Sequence, residues 1–333
     1  MSNIHQVRAI THVHTFLDIR HCNVYFYHGS DKKGPGGHDF LQYIVAHFHH
    51  RQSRSTTLSL PRHSVKKWFQ QFRPGSKPGE HVKKVSISYG VKSDIGSVRR
   101  ENQDCQGKFP ADGSDVTMPR GLLFVVADGM GGHRGGKEAS HLAVKSVEQF
   151  YFSDDGKSIP NLLEGAFQDA NEKIFAYSVA NPEFRGMGTT CTAMVFQDSR
   201  AHIAHIGDSR AYHIAGEAIT QLTEDHSKVA EMLRRGILTP MEAKTHPERS
   251  MLYRALGVSG LAEVDVIENV QVHAGDSFLI CTDGLVNHVP DDEIRAVVVA
   301  HKPQEACDAL VAIANERGGY DNITVQIIHI DAA

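Results

Sequence analysis

The chain has 333 residues, 41% of them apolar and 22% charged, with a formal net charge of −4, which is the make-up of a soluble globular protein of one large domain or two ordinary ones. No apolar run approaches the ~20 residues needed to cross a membrane. The five cysteines are scattered, odd in number and without CxxC spacing, which argues against a disulfide framework or a structural zinc site and for a reducing cytosol.

Charge is unevenly placed. Residues 1–83 hold 12 Lys/Arg against 4 Asp/Glu and half of the 22 His, so this segment carries about +8 and the remainder about −12. Its short apolar patches, NVYFY and LQYIVAHF, keep neither a helical nor a strand period, and RPGSKPGE at 73–80 has the make-up of a linker. Residues 1–83 therefore read as a basic, His-rich N-terminal extension, partly disordered. The basic-then-apolar layout of a secretory signal is missing, which agrees with a cytoplasmic protein. HFHH at 47–50 reads as a solvated tract more readily than as a transition-metal site, because no second ligand group has a recognisable spacing. Without aromatic interleaving or a heptad, the basic balance makes a poor case for nucleic acid. No Met lies between Met1 and Met118, so a start downstream of Met1 would use another codon.

From residue 84 to 333 the texture changes to that of a second, folded domain of short strands and helices. KVSISYGV, GLLFVVAD, TTCTAMVF, AHIAHIG and DSFLICTD are short β-branched or aromatic runs that read as strands. Ala139, Leu142, Ala143, Val147 and Phe150 share one helical face, as do Leu163, Ala166, Phe167, Ala170, Ile174 and Tyr177. Another helix opens at Pro290 with Asp291 and Asp292, and a further one runs from Pro303 to Glu316, stopped by Gly318 and Gly319. The helices fall into two groups separated by many strands, which favours two packed sheets with helices outside over a doubly wound parallel sheet.

Four aspartates share one setting at strand ends. Asp128 closes FVVAD, Asp208 follows HIAHIG, Asp283 closes FLICT, and Asp321 precedes the last strand in GGYDNITV. Singly, each suits a turn. Together, with glycine beside them and no His or Cys at these places, they suit a hard divalent cation such as Mg²⁺ or Mn²⁺. Asp104, in SDIGSVRRENQD at 93–104, follows Arg99 and Arg100. An arginine next to a carboxylate cluster suits a site that must hold a phosphate between guanidinium and metal, and hydrolysis is the chemistry such a site performs.

SDIGSVRRENQD, VVADGMGGHRGG, GMGTTCTAMVF, AHIGDSRAY, LTEDHS, LICTDGLV and GGYDNITV resemble, in this order, the motifs of the bacterial metal-dependent Ser/Thr protein phosphatases of type 2C, over about residues 86–330. The resemblance implies an α+β fold, an α-β-β-α sandwich of two antiparallel sheets flanked by helices. It implies two Mn²⁺ or Mg²⁺ ions at one end of the sheets, and a weaker third. By position, Asp128 bridges the two metals, Gly129 binds one through its carbonyl, and Asp283 and Asp321 complete the other's shell. Asp104 orients bound water, Asp208 with Asp283 holds the third ion, Arg99 binds the phosphate, and Asn322 braces its turn. The later glycines of VVADGMGGHRGG lead into a helix from Lys137. Two departures stand out: Gln103 replaces an acidic residue common before Asp104, and Met130 stands where eukaryotic members carry a His proposed as general acid. Residues 226–250 are similar to the family's flap, with two short helices around Thr239 and Pro240, and Arg234, Arg235 and Arg249 either meet acidic phosphopeptides or are solvated. The implied partners are phosphoserine and phosphothreonine proteins and a cognate Ser/Thr kinase, for an enzyme expected to be a monomer. Two other readings remain at this point: a pseudophosphatase, which predicts eroded metal ligands, and a two-metal nuclease, which fits the ions but not the seven motifs.

Overall fold

The apolar run before Asp128 becomes a strand buried on both faces, and the architecture follows from that. The computed structural model describes residues 22–27, 43–48, 56–61, 86–111, 120–153 and 156–331. The chain divides into two units, Met1–His81 and Val82–Ala333. In the first, β1 (Cys22–Tyr27), β2 (Tyr43–Phe48) and β3 (Thr56–Pro61) form an antiparallel sheet in the order β1-β2-β3. The partial disorder expected of this segment, and His49 and His50 of its His-rich tract, lie outside the described residues.

The second unit holds two antiparallel sheets. One has the order β12 (Asp265–Gln271), β9 (Arg200–Ile206), β8 (Cys191–Gln197), β6 (Leu122–Met130), β5 (Asp104–Phe109), with β7 (Gly188–Thr189) paired to the end of β6. The other has the order β11 (Ala218–Gln221), β10 (Arg210–Ala215), β13 (Ser277–Cys281), β14 (Ile323–Asp331), β4 (Ser86–Asp94). Strand side chains alternate between faces, so each central strand feeds two cores. Leu123, Val125 and Ala127 of β6 face a cluster shared with α1 (Gly132–Ser153) and α2 (Ile159–Ala180). Leu122, Phe124 and Val126 face the other sheet, where Phe278, Ile280, Ile328 and Ile330 meet them. Leu279, Cys281, Val325 and Ile327 then face a third cluster, built with α6 (Asp291–Ala300) and α7 (Pro303–Glu316). Two short helices, α3 (Lys228–Arg234) and α4 (Pro240–Thr245), lie between β11 and β12, and α5 (Asp283–Val286) follows β13. The order of layers is helix, sheet, sheet, helix. No helix of the described residues is long and apolar enough to cross a membrane.

The helix after Asp128 begins at Gly132, five residues before the expected Lys137. Gly135 and Gly136 thus lie inside it, against their propensity. The reason is close packing, because a Cβ on Gly136 would stand 2.6 Å from the Gly129 carbonyl oxygen. Absence of side chains at Gly129 and Gly136 lets α1 start directly against the end of β6.

Between the sheets, Phe124 is fully buried, with its ring edge-on to Phe196 at 5.8 Å and to Tyr89 at 6.0 Å. Phe124→Ala removes the centre of this stack and is expected to lower stability by about 3–5 kcal/mol, read as a lower midpoint in chemical denaturation.

Candidate active site

Asp104 and Asp128 are directly paired across β5 and β6. Asp283 opens α5 immediately after β13, and Asp321 lies two residues before β14, the neighbour of β13. Asp208 lies on the crossing from β9 in one sheet to β10 in the other. The two sheets therefore deliver carboxylates from both layers to one end of the sandwich.

Each position is braced. Asp104 is buried and ties the sheets together, its Oδ2 accepting from Thr324 Oγ1 at 2.7 Å and Thr282 Oγ1 at 3.0 Å. The Asp128 carbonyl accepts from Thr190 N at 2.9 Å and Thr189 Oγ1 at 2.8 Å, and Asp128 N donates to Thr190 Oγ1 at 3.0 Å. Gly129 N donates to the Gln103 carbonyl at 3.2 Å. Asp283 Oδ2 accepts from Asn287 Nδ2 at 3.1 Å, one helical turn on. Asn322 does more than brace its own turn. Its Nδ2 donates to the carbonyls of Ile95 (2.9 Å) and Glu101 (3.1 Å), and its Oδ1 accepts from Gln103 N at 2.8 Å. It thereby fastens the loop that carries Arg99 to the loop that carries Asp321. Arg99 Nη2 donates to Asp321 Oδ2 at 2.7 Å.

Electrostatics set the character of this end. Burial, and after it the charges of Asp104, Asp283, Asp208 and Asp321, push the Asp128 carboxyl well up. Asp208 is raised by burial, then by Asp283 and Asp225. Asp104 is pushed up to about 7 by burial and by Asp283 and Asp321, against the pull of its two threonine hydrogen bonds. Asp283 is raised to about 6 by burial and by Asp321, opposed by Asn287 and Arg99. Two carboxylate oxygens, Asp104 Oδ1 and Asp283 Oδ1, are buried without a hydrogen-bond partner. A buried acceptor without a partner is unfavourable, and so are like charges gathered out of water. A divalent cation answers both, and the donor set of carboxylates and a glycine carbonyl is the hard one that Mg²⁺ or Mn²⁺ prefers. The residues fit such ions. Among the described residues no three His, Cys, Asp or Glu side chains close round a single point, and Asp321 is engaged by Arg99.

Elsewhere the structure sorts the sequence candidates. Arg234 and Arg235 both pair with Glu231 (2.7 and 2.5 Å), whereas Arg249 is exposed. Met130 reaches the backbone of β7, its Cε lying 2.9 Å from where a Cβ on Gly188 would be. Cys191 and Cys281 are fully buried core residues, and burial pushes both thiols up. Thr190, Thr282 and Thr324 escaped the sequence reading, because a threonine in a strand or beside its end gives no sign of the carboxylate or peptide that it will hold.

The profile of a family described as Protein phosphatase 2C matches residues 97–324. The chain is 37% identical over 245 residues to the serine/threonine phosphatase stp of Listeria monocytogenes, which covers 72% of this chain and 94% of that protein. The crystal structure of the Mycobacterium tuberculosis serine/threonine phosphatase PstP/Ppp matches 74% of this chain and 100% of its own, at 33% identity and a TM-score of 0.65. A structure of the PstP catalytic domain in complex with two manganese ions matches 74% of this chain and 100% of its own, at 31% identity and a TM-score of 0.64.

The raised carboxyl groups set a pH dependence in the metal-free protein. Their proton affinity is higher folded than unfolded, so the stability they contribute is full near the ordinary aspartate value of 3.8 and is lost as pH rises through about 6 for Asp283 and about 7 for Asp104. The thermal midpoint of chelator-treated protein is expected to fall as pH is raised across that window. A midpoint that climbs there would contradict the crowding described.

Proposed function

The chain belongs to the protein phosphatase 2C family, and from that premise we propose how it works as a serine/threonine phosphoprotein phosphatase: the carboxylates at the end of the sandwich hold divalent cations beside Arg99. The observation that carries this reading is the gathering of Asp104, Asp128, Asp208 and Asp283 at one end of the sandwich, each raised by burial and by a neighbouring carboxylate, and two of them with a buried oxygen that has no hydrogen-bond partner. Asp128 and the Gly129 carbonyl, with Asp283 and Asp321, would hold two cations, and Asp208 with Asp283 would hold a weaker third. When bound, Mn²⁺ or Mg²⁺ supplies Lewis-acid polarisation of the phosphate and activation of water.

The chain's own groups do the rest. Asp104 orients water at the edge of the cluster, and its threonine pair keeps that carboxylate in one rotamer. Arg99 uses one of its guanidinium donors on Asp321, and its remaining N–H groups are available to a phosphoryl oxygen. It neutralises charge that grows on the phosphoryl group as the serine or threonine oxygen departs. The proton for that oxygen does not come from residue 130, because Met130 has none to give. Seven filled motifs and an intact aspartate set favour an enzyme over a catalytically dead scaffold. The substrates are phosphoserine and phosphothreonine proteins, in the cytoplasm and opposite a Ser/Thr kinase, with the enzyme acting as a monomer.

Phosphopeptide hydrolysis should require Mn²⁺ or Mg²⁺ and stop in chelator. Asp128→Asn and Asp283→Asn should each lower kcat/KM by on the order of 100-fold or more, and Arg99→Ala by about 100-fold. Full activity in either aspartate variant would overturn the assignment. The size of the Arg99 effect should shrink in Arg99→Lys only in part, since lysine keeps the charge and loses the fork.

A further inference from the structure

His226 stands where the flap begins, and only 1% of its surface is exposed. It grips both backbone groups of Gly207. Its own N–H donates to the Gly207 carbonyl at 2.7 Å, and its ring Nδ1 accepts from Gly207 N–H at 3.1 Å. The Gly207 carbonyl belongs to the peptide that starts Asp208, so His226 holds that peptide plane. Gly207 has no room to adapt: its φ is +111°, and a Cβ there would lie 2.5 Å from the Thr190 side chain. On the other side of Asp208, Ser209 Oγ is hydrogen-bonded to Thr190 Oγ1 at 2.8 Å, and Thr190 in turn holds Asp128 N.

The ring's own orientation is fixed from behind. An Nδ1 that accepts carries no proton, so the neutral ring is protonated at Nε2. Two groups face Nε2: Asp265 Oδ2 at 3.1 Å and Arg254 Nη1 at 3.3 Å. Arginine accepts no hydrogen bond, so the proton goes to Asp265. Arg254 steadies that carboxylate, donating to its other oxygen at 3.2 Å while pairing with Glu263 at 2.8 Å. Just beyond residues 226–250 the chain returns to the same residue, Tyr253 N donating to the His226 carbonyl at 3.0 Å.

We propose that His226 is a positioning residue for Asp208: its ring, locked by Asp265 and Arg254, holds Gly207 N–H while its backbone N–H holds the Gly207 carbonyl, and together they fix the residue before Asp208 and so aim the Asp208 carboxylate at the site it shares with Asp283. The inference rests on the reading that Asp208 holds a cation. It assigns to the histidine of LTEDHS, and to the pair behind it, a task at a carboxylate that His226 does not itself touch. Partners that orient a metal ligand commonly change affinity by about 10- to 100-fold when lost.

The test uses the full-length chain stripped of metal, as wild type, Asp208→Ala, His226→Ala, His226→Asn and Asp265→Ala. Each is titrated with Mn²⁺ by calorimetry, and amide exchange at 207–209 is followed in the metal-free proteins. Asp208→Ala should lose the weakest Mn²⁺ site. His226→Ala should weaken that site about 10- to 100-fold, leave the tighter sites as they are, and speed exchange at 207–209. His226→Asn, whose amide oxygen can accept from Gly207 N–H, should recover most of the affinity, and Asp265→Ala should fall between. If Asp208→Ala titrates like wild type, the cation role of Asp208 falls and this inference with it. If Asp208→Ala loses a site while His226→Ala keeps it, this inference alone is overturned. Equal weakening at every site, with faster exchange throughout the domain, overturns it too, because it marks a general structural role.

Discussion

Carboxylates that repel one another, held out of water at one end of a sandwich, are the constraint to which the surrounding structure answers. Asp104 and Asp128 face each other across adjacent strands, and Asp283 and Asp208 add their charges from the other sheet and from the crossing between sheets. Left alone, such a group raises its proton affinity or drives the strands apart. The chain resists the second outcome with neutral donors. Thr282 and Thr324 hold Asp104, Thr189 and Thr190 hold the Asp128 backbone, and Asn287 holds Asp283. Arg99 adds a positive charge, half exposed on Asp321, and Arg210 acts on Asp208 while it is paired with Asp225. The balance of charge is therefore left to ions, and crowding that is a liability for folding becomes the means of gathering them.

Backbone proximity is the second half of the arrangement. Gly129 and Gly136 lie so close that neither tolerates a Cβ, and Gly284 packs as tightly on the Asn322 carbonyl. These contacts bring the start of α1 and the start of α5 against the strand ends that carry Asp128 and Asp321. The glycines beside the aspartates thus serve packing as much as access. Asn322 adds a third tie, since three hydrogen bonds from its side chain join the Arg99 loop to the last strand. Removing any of these would keep every charged group in the chain and shift its position.

How much of this was legible in the sequence depended on burial. β6, β8, β9, β13 and β14 lie inside their sheets and are buried on both faces, so their apolar runs announced them. β5, β11 and β12 are edge strands, and DCQGKF, AITQ and DVIENVQ are too polar to stand out by composition. The start of α1 was misjudged because Gly135 and Gly136 look like a breaker until their contact with Gly129 is known. The aspartates were legible as a set, since four strand ends repeated one pattern. The residues that hold them were not. Thr190, Thr324 and His226 act through contacts with residues far away in the chain, and neither period nor spacing records such a contact.

The most direct measurement is the number of protons released when metal-free protein binds Mn²⁺. Calorimetric titrations at about pH 6.5, in buffers of different ionisation enthalpy, give that number from the slope of the observed heat. With Asp104 raised to about 7 and Asp283 to about 6, part of the cluster is protonated there, and incoming cations must displace those protons. The account predicts a net release at this pH, and the share that comes from Asp104 and Asp283 dwindles by about pH 8, where those two are already ionised. Binding without proton release at about pH 6.5, or no binding, would contradict the claim that crowded carboxylates and divalent cations are two halves of one site.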